Sequence, residues 1–495
     1  MSEVNASMAL FNGQDGAPLG ALLSHHASAS PAHPALIIGD RAFGFAELDA
    51  RANRRARMLA ASGVKPGDFV TVALANGLEF YETTFAVWKL GAIPNLVSPQ
   101  LAPPEIEAIV GIVDPRLVIG IDAGRLPGRN AVPAGLPIDE SLSAEAMPEV
   151  VSPHWKAMTS GGSTGRPKVI LDAMPGRWNP AVAVLGQQPG DILLNPGPLY
   201  HNAPFCGMHY GLFAGSTVVE MGKFDAMRTL ELIDRRGVTW VNLVPTMMHR
   251  IWRLGPEARR MHDLSSLRTV FHMAAPCPPW LKEAWIDWLG AERIFELYAG
   301  TERQGATMIT GPEWLAHRGS VGRPQPGARI RILDEDGAAC GPGAVGEIYF
   351  LPDAGLGTTY QYLGANARRL GNWESLGDLG WIDDEGYLYL CDRRSDMIIS
   401  GGSNIYPAEV EAALDAHPDV LSSIVVGLKD EEWGERVHAI VQRAPDSKLT
   451  DDALRVFAAG RLAKYKLPKS IEFTRDALRD DAGKARRTAL RAVRT

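Results

Sequence analysis

The sequence predicts an α/β protein: a large N-terminal unit of two α/β subdomains plus a small β-subdomain, then a C-terminal α+β domain. Three observations carry this reading. Apolar strand candidates alternate with helical spacing in two separate runs, the rhythm of βαβ units on a parallel sheet. After Gly319 the texture changes to short alternating strands broken by turn residues. After Cys391 a charged stretch, Asp392-Arg393-Arg394-Ser395-Asp396, separates that texture from the next.

In the first run, residues 69–75 are apolar and β-branched, 79–90 have helical spacing, and 92–96 form a short apolar strand. A helix over 103–113 opens with Pro103, Pro104 and Glu105, as a helix start should, and 116–119 is a further strand. The second run places strands at 192–195, 217–220, 239–244, 269–272 and 294–298, with helices at 226–236, 246–254 and 279–289. The β-subdomain follows, with strands at 329–333, 346–351 and 387–391, and turns at 334–337 and 383–386. Beyond the charged stretch come a strand at 397–400, a glycine loop, a helix entered at Pro407, strands at 423–426 and 438–442, and a helix near 451–462. The expected boundaries are 1–393 for the N-terminal unit and 394–495 for the C-terminal domain, with a hinge near 392–396. Within the first, the βαβ halves fall at about 20–185 and 186–318 and the β-subdomain at about 319–393.

The 495 residues make about three units at ~150 residues each. Apolar residues are 46% and charged residues 22%, an ordinary globular balance. The net charge of −7 sets aside a protein that coats nucleic acid. Residues 455–495 nevertheless carry 12 basic and 4 acidic side chains, which reads either as a solvated tail or as a surface for a polyanionic small molecule. Cys206, Cys277, Cys340 and Cys391 form no CxxC pair, so neither a disulfide framework nor a zinc site is indicated. Met1-Ser2-Glu3-Val4 begins no secretory signal, and no run approaches the ~18 apolar residues of a membrane span. The expectation is a cytoplasmic protein.

The strongest chemical signal is Thr159-Ser160-Gly161-Gly162-Ser163-Thr164-Gly165-Arg166-Pro167-Lys168. Glycines let backbone approach an anion, hydroxyls donate to phosphate oxygens, and Lys168 adds charge. A Walker A loop is excluded, because Gly165 is followed by Arg166-Pro167 and Lys168 by Val169. The stretch resembles the phosphate loop of the adenylate-forming enzymes: acyl-CoA synthetases, peptide-synthetase adenylation domains and beetle luciferases. Five more stretches follow in that family's order. They are Pro198-Leu199-Tyr200-His201-Asn202, Leu297-Tyr298-Ala299-Gly300-Thr301-Glu302, Gly377-Asp378-Leu379-Gly380, the segment 393–411 with its Gly401-Gly402 pair, and Gly483-Lys484. Ala299 replaces a usual glycine, and Ser395 stands at the hinge position, where the family usually has Asp or Lys.

The resemblance implies ATP, Mg2+ and coenzyme A, a mobile C-terminal domain, and a role for each residue. Thr159, Ser160, Gly161, Gly162, Ser163, Thr164, Gly165 and Lys168 would bind the phosphates. Tyr298 would stack on adenine, Asp378 with Arg393 would take the ribose, and Thr301 would donate to the α-phosphate. Glu302 would hold Mg2+, a hard cation that takes carboxylate oxygens. Lys484 would stabilise charge on the reacting phosphoryl group, and His201 would gate the acid pocket. Gly401 and Gly402 would line a tunnel for the pantetheine arm. An acid pocket is expected from Phe205, Val244, Met273, Ala274, Ala299 and Gly300. No acidic residue stands near His201-Asn202 to pair with an ammonium, so an amino acid is not the expected substrate. The loop, 198–205 and 244–252 look most like bile-acid-CoA-ligase relatives, which favours a bulky steroid- or terpenoid-like acid.

The implied partners are that acid and CoA, with a homodimer or an acyl-acceptor protein left open. Three readings stand at this point. They are an acid–CoA ligase, an adenylating enzyme that hands its acyl-AMP to a carrier protein or second ligase, and a nucleotide-binding regulatory protein. Intact Lys168, Glu302, Asp378, Arg393 and Lys484 argue against the last.

Overall fold

The computed structural model describes residues 16–161, 167–180, 182, 184–480 and 483–494. Two large sheets build the N-terminal unit. The first is centred on Phe69–Val72, which runs parallel to Ile93–Leu96 and Leu117–Ile119. Its far side is Ala157–Gly161, then Pro167–Asp172 and the edge strand Tyr360–Leu363, both antiparallel to their neighbours. The second sheet has Ile192–Asn195, Trp240–Leu243, Thr269–His272 and Ile294–Ala299 in parallel. It continues through Ala306–Thr310 and Ser320–Pro324 into the β-subdomain strands Leu388–Arg393, Trp373–Ile382, Gly346–Pro352 and Ala328–Leu333.

The strands do not sort into consecutive halves at about 20–185 and 186–318. Pro34–Ile38 comes early in the chain yet pairs with Thr217–Glu220 of the second sheet. Tyr360–Leu363 comes late yet closes the first sheet against Pro167–Asp172. Alternation marks a segment as a strand but carries no information on which open edge it will cover.

Two helices fill the space between the sheets. Leu78–Lys89 is buried from Phe80 onward, its polar Glu82, Thr83, Thr84 and Lys89 included. Its rings Phe80, Phe85 and Trp88 meet Phe205, His209 and Phe213 of helix Asn202–Phe213 at ring distances of 5.3–6.5 Å. This pair is the aromatic core of the unit.

In the C-terminal domain, the expected strands at 423–426 and 438–442 are the centres of much longer ones. Val420–Asp430 and Gly434–Arg443 form a hairpin whose outer half is polar, which hid it from an apolar pattern. Ile398–Ser400 and Ser470–Thr474 flank it, and helices Pro407–Asp415 and Asp451–Ala459 cover it. Part of the basic terminus is neutralised within the domain. Arg479 and Arg487 share Glu411, Arg491 takes Glu435, Arg494 takes Glu472 and Lys466 takes Glu409, at 2.6–2.8 Å. No helix among the described residues is long and apolar enough to cross a membrane.

One buried ion pair supports helix Leu78–Lys89. Arg55 Nη2 lies 2.5 Å from Glu82 Oε1, with side chains 2% and 1% exposed, and Arg51 adds a bond of 2.7 Å to the other oxygen. Glu82→Ala strands a buried guanidinium and should cost about 3–5 kcal/mol. The measurement is the urea midpoint of the N-terminal unit. Arg55→Met with Glu82→Leu should recover most of the loss, since both charges then leave the core together.

Candidate functional site

The carboxyl ends of parallel strands Thr269–His272 and Ile294–Ala299 open toward the C-terminal domain, the usual place for a ligand in such a sheet. Tyr298 sits at the end of the second strand and donates its hydroxyl to Asp378 Oδ2 at 2.7 Å. Asp378 and Arg393 face each other across neighbouring strands, and Arg393 Nε is 3.3 Å from Asp378 Oδ1. Burial and then the Asp378 charge push the Tyr298 phenol well above its ordinary range, so it remains a donor. Asp378, Arg393 and Tyr298 are thus one hydrogen-bonded unit that can present carboxylate oxygens to paired hydroxyls.

A second cluster lies beside it. Thr159, Ser160 and Gly161 end strand Ala157–Gly161, with Ser160 opposite Lys168. Gly162, Ser163, Thr164 and Gly165 lie outside the described residues. Lys168 Nζ donates to Tyr362 Oη at 2.7 Å and lies 3.3 Å from Glu302 Oε1. Thr301 and Glu302 form the turn after Ile294–Ala299, and Glu302 is 6% exposed. The next two residues anchor that turn: Arg303 reaches Asp172 at 2.9 Å, and Gln304 reaches Tyr360 at 3.1 Å and Glu374 at 2.8 Å.

Glu302 fits a hard cation. Its Oε2 has no hydrogen-bond donor among the described residues and faces Gly300, where a Cβ would lie 2.9 Å away. No group of three or more His, Cys, Asp or Glu side chains could hold a metal among the described residues. A cation here would therefore take one carboxylate and complete its shell from substrate and water, which is the habit of Mg2+.

The C-terminal domain supplies the third part. Gly483, at φ +74°, comes so close to Thr246 that a Cβ would lie 2.9 Å from its Oγ1. Lys484 follows, with its backbone N–H on Asp480 Oδ1 at 2.9 Å. Burial lowers the Lys484 pKa; Asp480 and Glu302 oppose this, and Arg393 reinforces it. Burial, then the Lys484 charge, lowers His201 to about 4. The domain is held in this position by Arg253, which donates to the Val420 and Pro418 carbonyls at 2.6 Å each.

The expected acid pocket divides. Met273, Ala274, Ala299 and Gly300 follow or end the two parallel strands named above, and Val244 packs against Gly483. Phe205 is 0% exposed, with its ring 4.2 Å from His209 and about 6 Å from Trp88 and Trp155. In the small domain, Gly401 (φ +57°) lies under Trp433, where a Cβ would be 2.6 Å from the indole, whereas Gly402 (φ +77°) has open space above it. Ser395 is exposed and its side chain bonds its neighbour Asp396, at 3.2 Å. Sequence reasoning missed Tyr362, Asp480, Thr246 and Arg253. Only Tyr362 had a local sign, the Tyr-Gln-Tyr alternation of an edge strand.

Residues 23–360 match the family described as AMP-binding enzyme, and residues 409–484 match the AMP-binding enzyme C-terminal domain. A 2-succinylbenzoate–CoA ligase of Geobacillus kaustophilus is 34% identical, over 95% of this chain and 97% of that one. A fatty acid–[acyl-carrier-protein] ligase of Streptomyces coeruleorubidus is 30% identical, over 94% and 95%. The o-succinylbenzoate CoA synthetase of Bacillus subtilis, solved with its acyl-adenylate intermediate, superposes with a TM-score of 0.83 at 27% identity, covering 96% of this chain and 98% of that one.

The His201 environment gives a titration to check. Its imidazole should stay neutral down to about pH 4. Because folding lowers this pKa, the stability it contributes is whole above about pH 6.5 and is lost as the pH falls toward 4. Imidazole NMR signals followed from pH 8 to 4 report the midpoint. Lys484→Met should raise it part of the way, since burial remains; a wild-type midpoint near 6.5 would show a solvated ring.

Proposed function

Because the chain belongs to the AMP-binding enzyme family of adenylate-forming enzymes, we propose that it is an AMP-forming acid–CoA ligase for a bulky hydrophobic carboxylic acid. One observation carries the proposal. Lys484, from the C-terminal domain, lies within electrostatic reach of His201, Glu302 and Arg393, beside the cluster of Asp378 and Tyr298. A lysine from a second domain with a lowered pKa, next to groups suited to ribose, phosphate and cation, is placed for a reaction at phosphorus.

In the first step, a carboxylate oxygen attacks the α-phosphorus of ATP, the bond to the β-phosphate oxygen breaks, and acyl-AMP and pyrophosphate form. Tyr298 flanks the adenine, Asp378 and Arg393 take the ribose hydroxyls, and Thr301 donates to the α-phosphate. Lys168 and residues 159–165 take the outer phosphates. Glu302 would hold Mg2+, which supplies charge neutralisation on the phosphate oxygens. Neutral His201 leaves a negatively charged acid unpaired at the gate, so that Lys484 is the cation it meets. The charge of Lys484 stabilises the transition state without reorganisation.

In the second step, residues 394–495 turn about 392–396. The thiol of CoA then passes the Gly401-Gly402 loop and displaces AMP at the acyl carbon. Exposed Ser395, whose side chain bonds its neighbour Asp396, suits a hinge. The small side chains of Ala274, Ala299 and Gly300 favour a wide alicyclic acid, steroid- or terpenoid-like. We further propose that the enzyme works in the cytoplasm.

The test is mass spectrometry of products from ATP, Mg2+, CoA and a panel of steroid, diterpenoid, aryl and fatty acids. An acyl-CoA dominated by the alicyclic acids is expected. Acyl-AMP without thioester would instead assign a protein acceptor. Lys484→Ala should lower acid-dependent acyl-AMP formation ~10²–10³-fold, while thioester formation from supplied acyl-AMP and CoA stays near wild type. Equal loss in both half-reactions would remove Lys484 from its role in the first.

A further inference from the structure

Between Lys168 and Glu302 stands a third group. Tyr362 lies on the edge strand Tyr360–Leu363, in register with Ile170, two residues past Lys168. Its hydroxyl donates to Glu302 Oε1 at 2.5 Å and accepts from Lys168 Nζ at 2.7 Å. The Lys168 ammonium also sits 3.9 Å from the centre of the Tyr362 ring. Burial, then the charge of Glu302, pushes the phenol above its ordinary range, so it keeps the proton that it donates.

A phenol that accepts from an ammonium and donates to a carboxylate satisfies both charges while keeping them apart. Lys168 and Glu302 are 3.3 Å from each other here, whereas an unobstructed pair closes to roughly 2.7–2.9 Å. A closed pair would commit Glu302 to the lysine and Lys168 to the carboxylate. The same donation engages Oε1 and leaves Oε2 without a donor among the described residues.

We propose that Tyr362 is a positioning residue for adenylation. It spaces Lys168 from Glu302, so that Glu302 remains available to a divalent cation and Lys168 to phosphate. This rests on the reading above, in which Glu302 holds Mg2+ and Lys168 binds phosphate. Tyr362 touches neither the nucleotide nor the acid in that scheme. It acts through the two charged groups, and its removal should appear first in the coupling between cation and nucleotide.

The experiment measures that coupling without turnover. Calorimetry gives the affinity of the α,β-methylene analogue of ATP with and without Mn2+, in the absence of acid; the ratio is the gain due to the cation. Tyr362→Phe should lose ~10-fold of the wild-type gain, the lower end for a group that orients a metal ligand. Adding Lys168→Met should restore the gain although overall nucleotide affinity falls, because the competing ammonium is gone. A merely structural tyrosine would not be rescued in this way. An undiminished gain in Tyr362→Phe, or no recovery in the double variant, overturns the proposal. Should Tyr362→Phe fail to fold, Lys168→Met alone decides: its gain must equal or exceed wild type, and a smaller gain overturns the proposal. Glu302→Gln separates the two levels. If it keeps the gain, the metal reading of Glu302 fails and takes this proposal with it. If it loses the gain while Tyr362→Phe keeps it, only the role of Tyr362 fails.

Discussion

Asp172 is a carboxylate with no access to water, and the site depends on how it is neutralised. Lys156 reaches it at 3.0 Å and Arg303 at 2.9 Å, and the Met174 N–H completes its bonding. With those partners its pKa falls below the ordinary value even though burial, the largest influence, pushes the other way. Lys156 and Asp172 belong to the first sheet and its approach, whereas Arg303 belongs to the turn that ends a strand of the second. A buried charge tolerates little displacement of its partners. The two sheets are therefore tied at the point where Glu302, one residue before Arg303, meets Lys168, four residues before Asp172.

The same turn shows why the site needs side chains from distant parts of the chain. Glu302, Arg303 and Gln304 point to Tyr362, Asp172 and Tyr360 in succession, and every one of those anchors lies on the pair of strands Pro167–Asp172 and Tyr360–Leu363. The edge strand thus closes the first sheet and braces a turn of the second. Close by, the side-chain ends of Leu376 and Glu302 lie against the backbone of Gly300.

Much of this was legible in the sequence, and the rest was not for identifiable reasons. Helices Pro103–Val113, Ala226–Arg236 and Pro279–Leu289 lie where periodicity predicts them, and strands Ile192–Asn195 and Thr217–Glu220 lie where short apolar runs do. Tyr298, Glu302, Asp378 and Lys484 were legible because short motifs preserve their spacing. Tyr362 was not, because its partner is 60 residues away and meets it only after a late strand pairs with an early one. The surplus of positive charge after Arg455 was legible only as a count: composition does not show that Glu411 alone absorbs two of those charges.

Arg253 holds the C-terminal domain by two main-chain carbonyls, of Pro418 and Val420, and the charge of Asp419 between them acts in its favour. The two carbonyl bonds read the path of the backbone, whereas the charge reads one side chain. Substitutions at Pro418 and Val420 that keep the path leave the bonds in place, and only at Asp419 does the identity of the residue enter. It is also a grip that water can replace group for group, since a guanidinium and two carbonyls are all well solvated when separated. The seam is thus a reversible fastening, set by backbone geometry at two positions and by charge at the one between them.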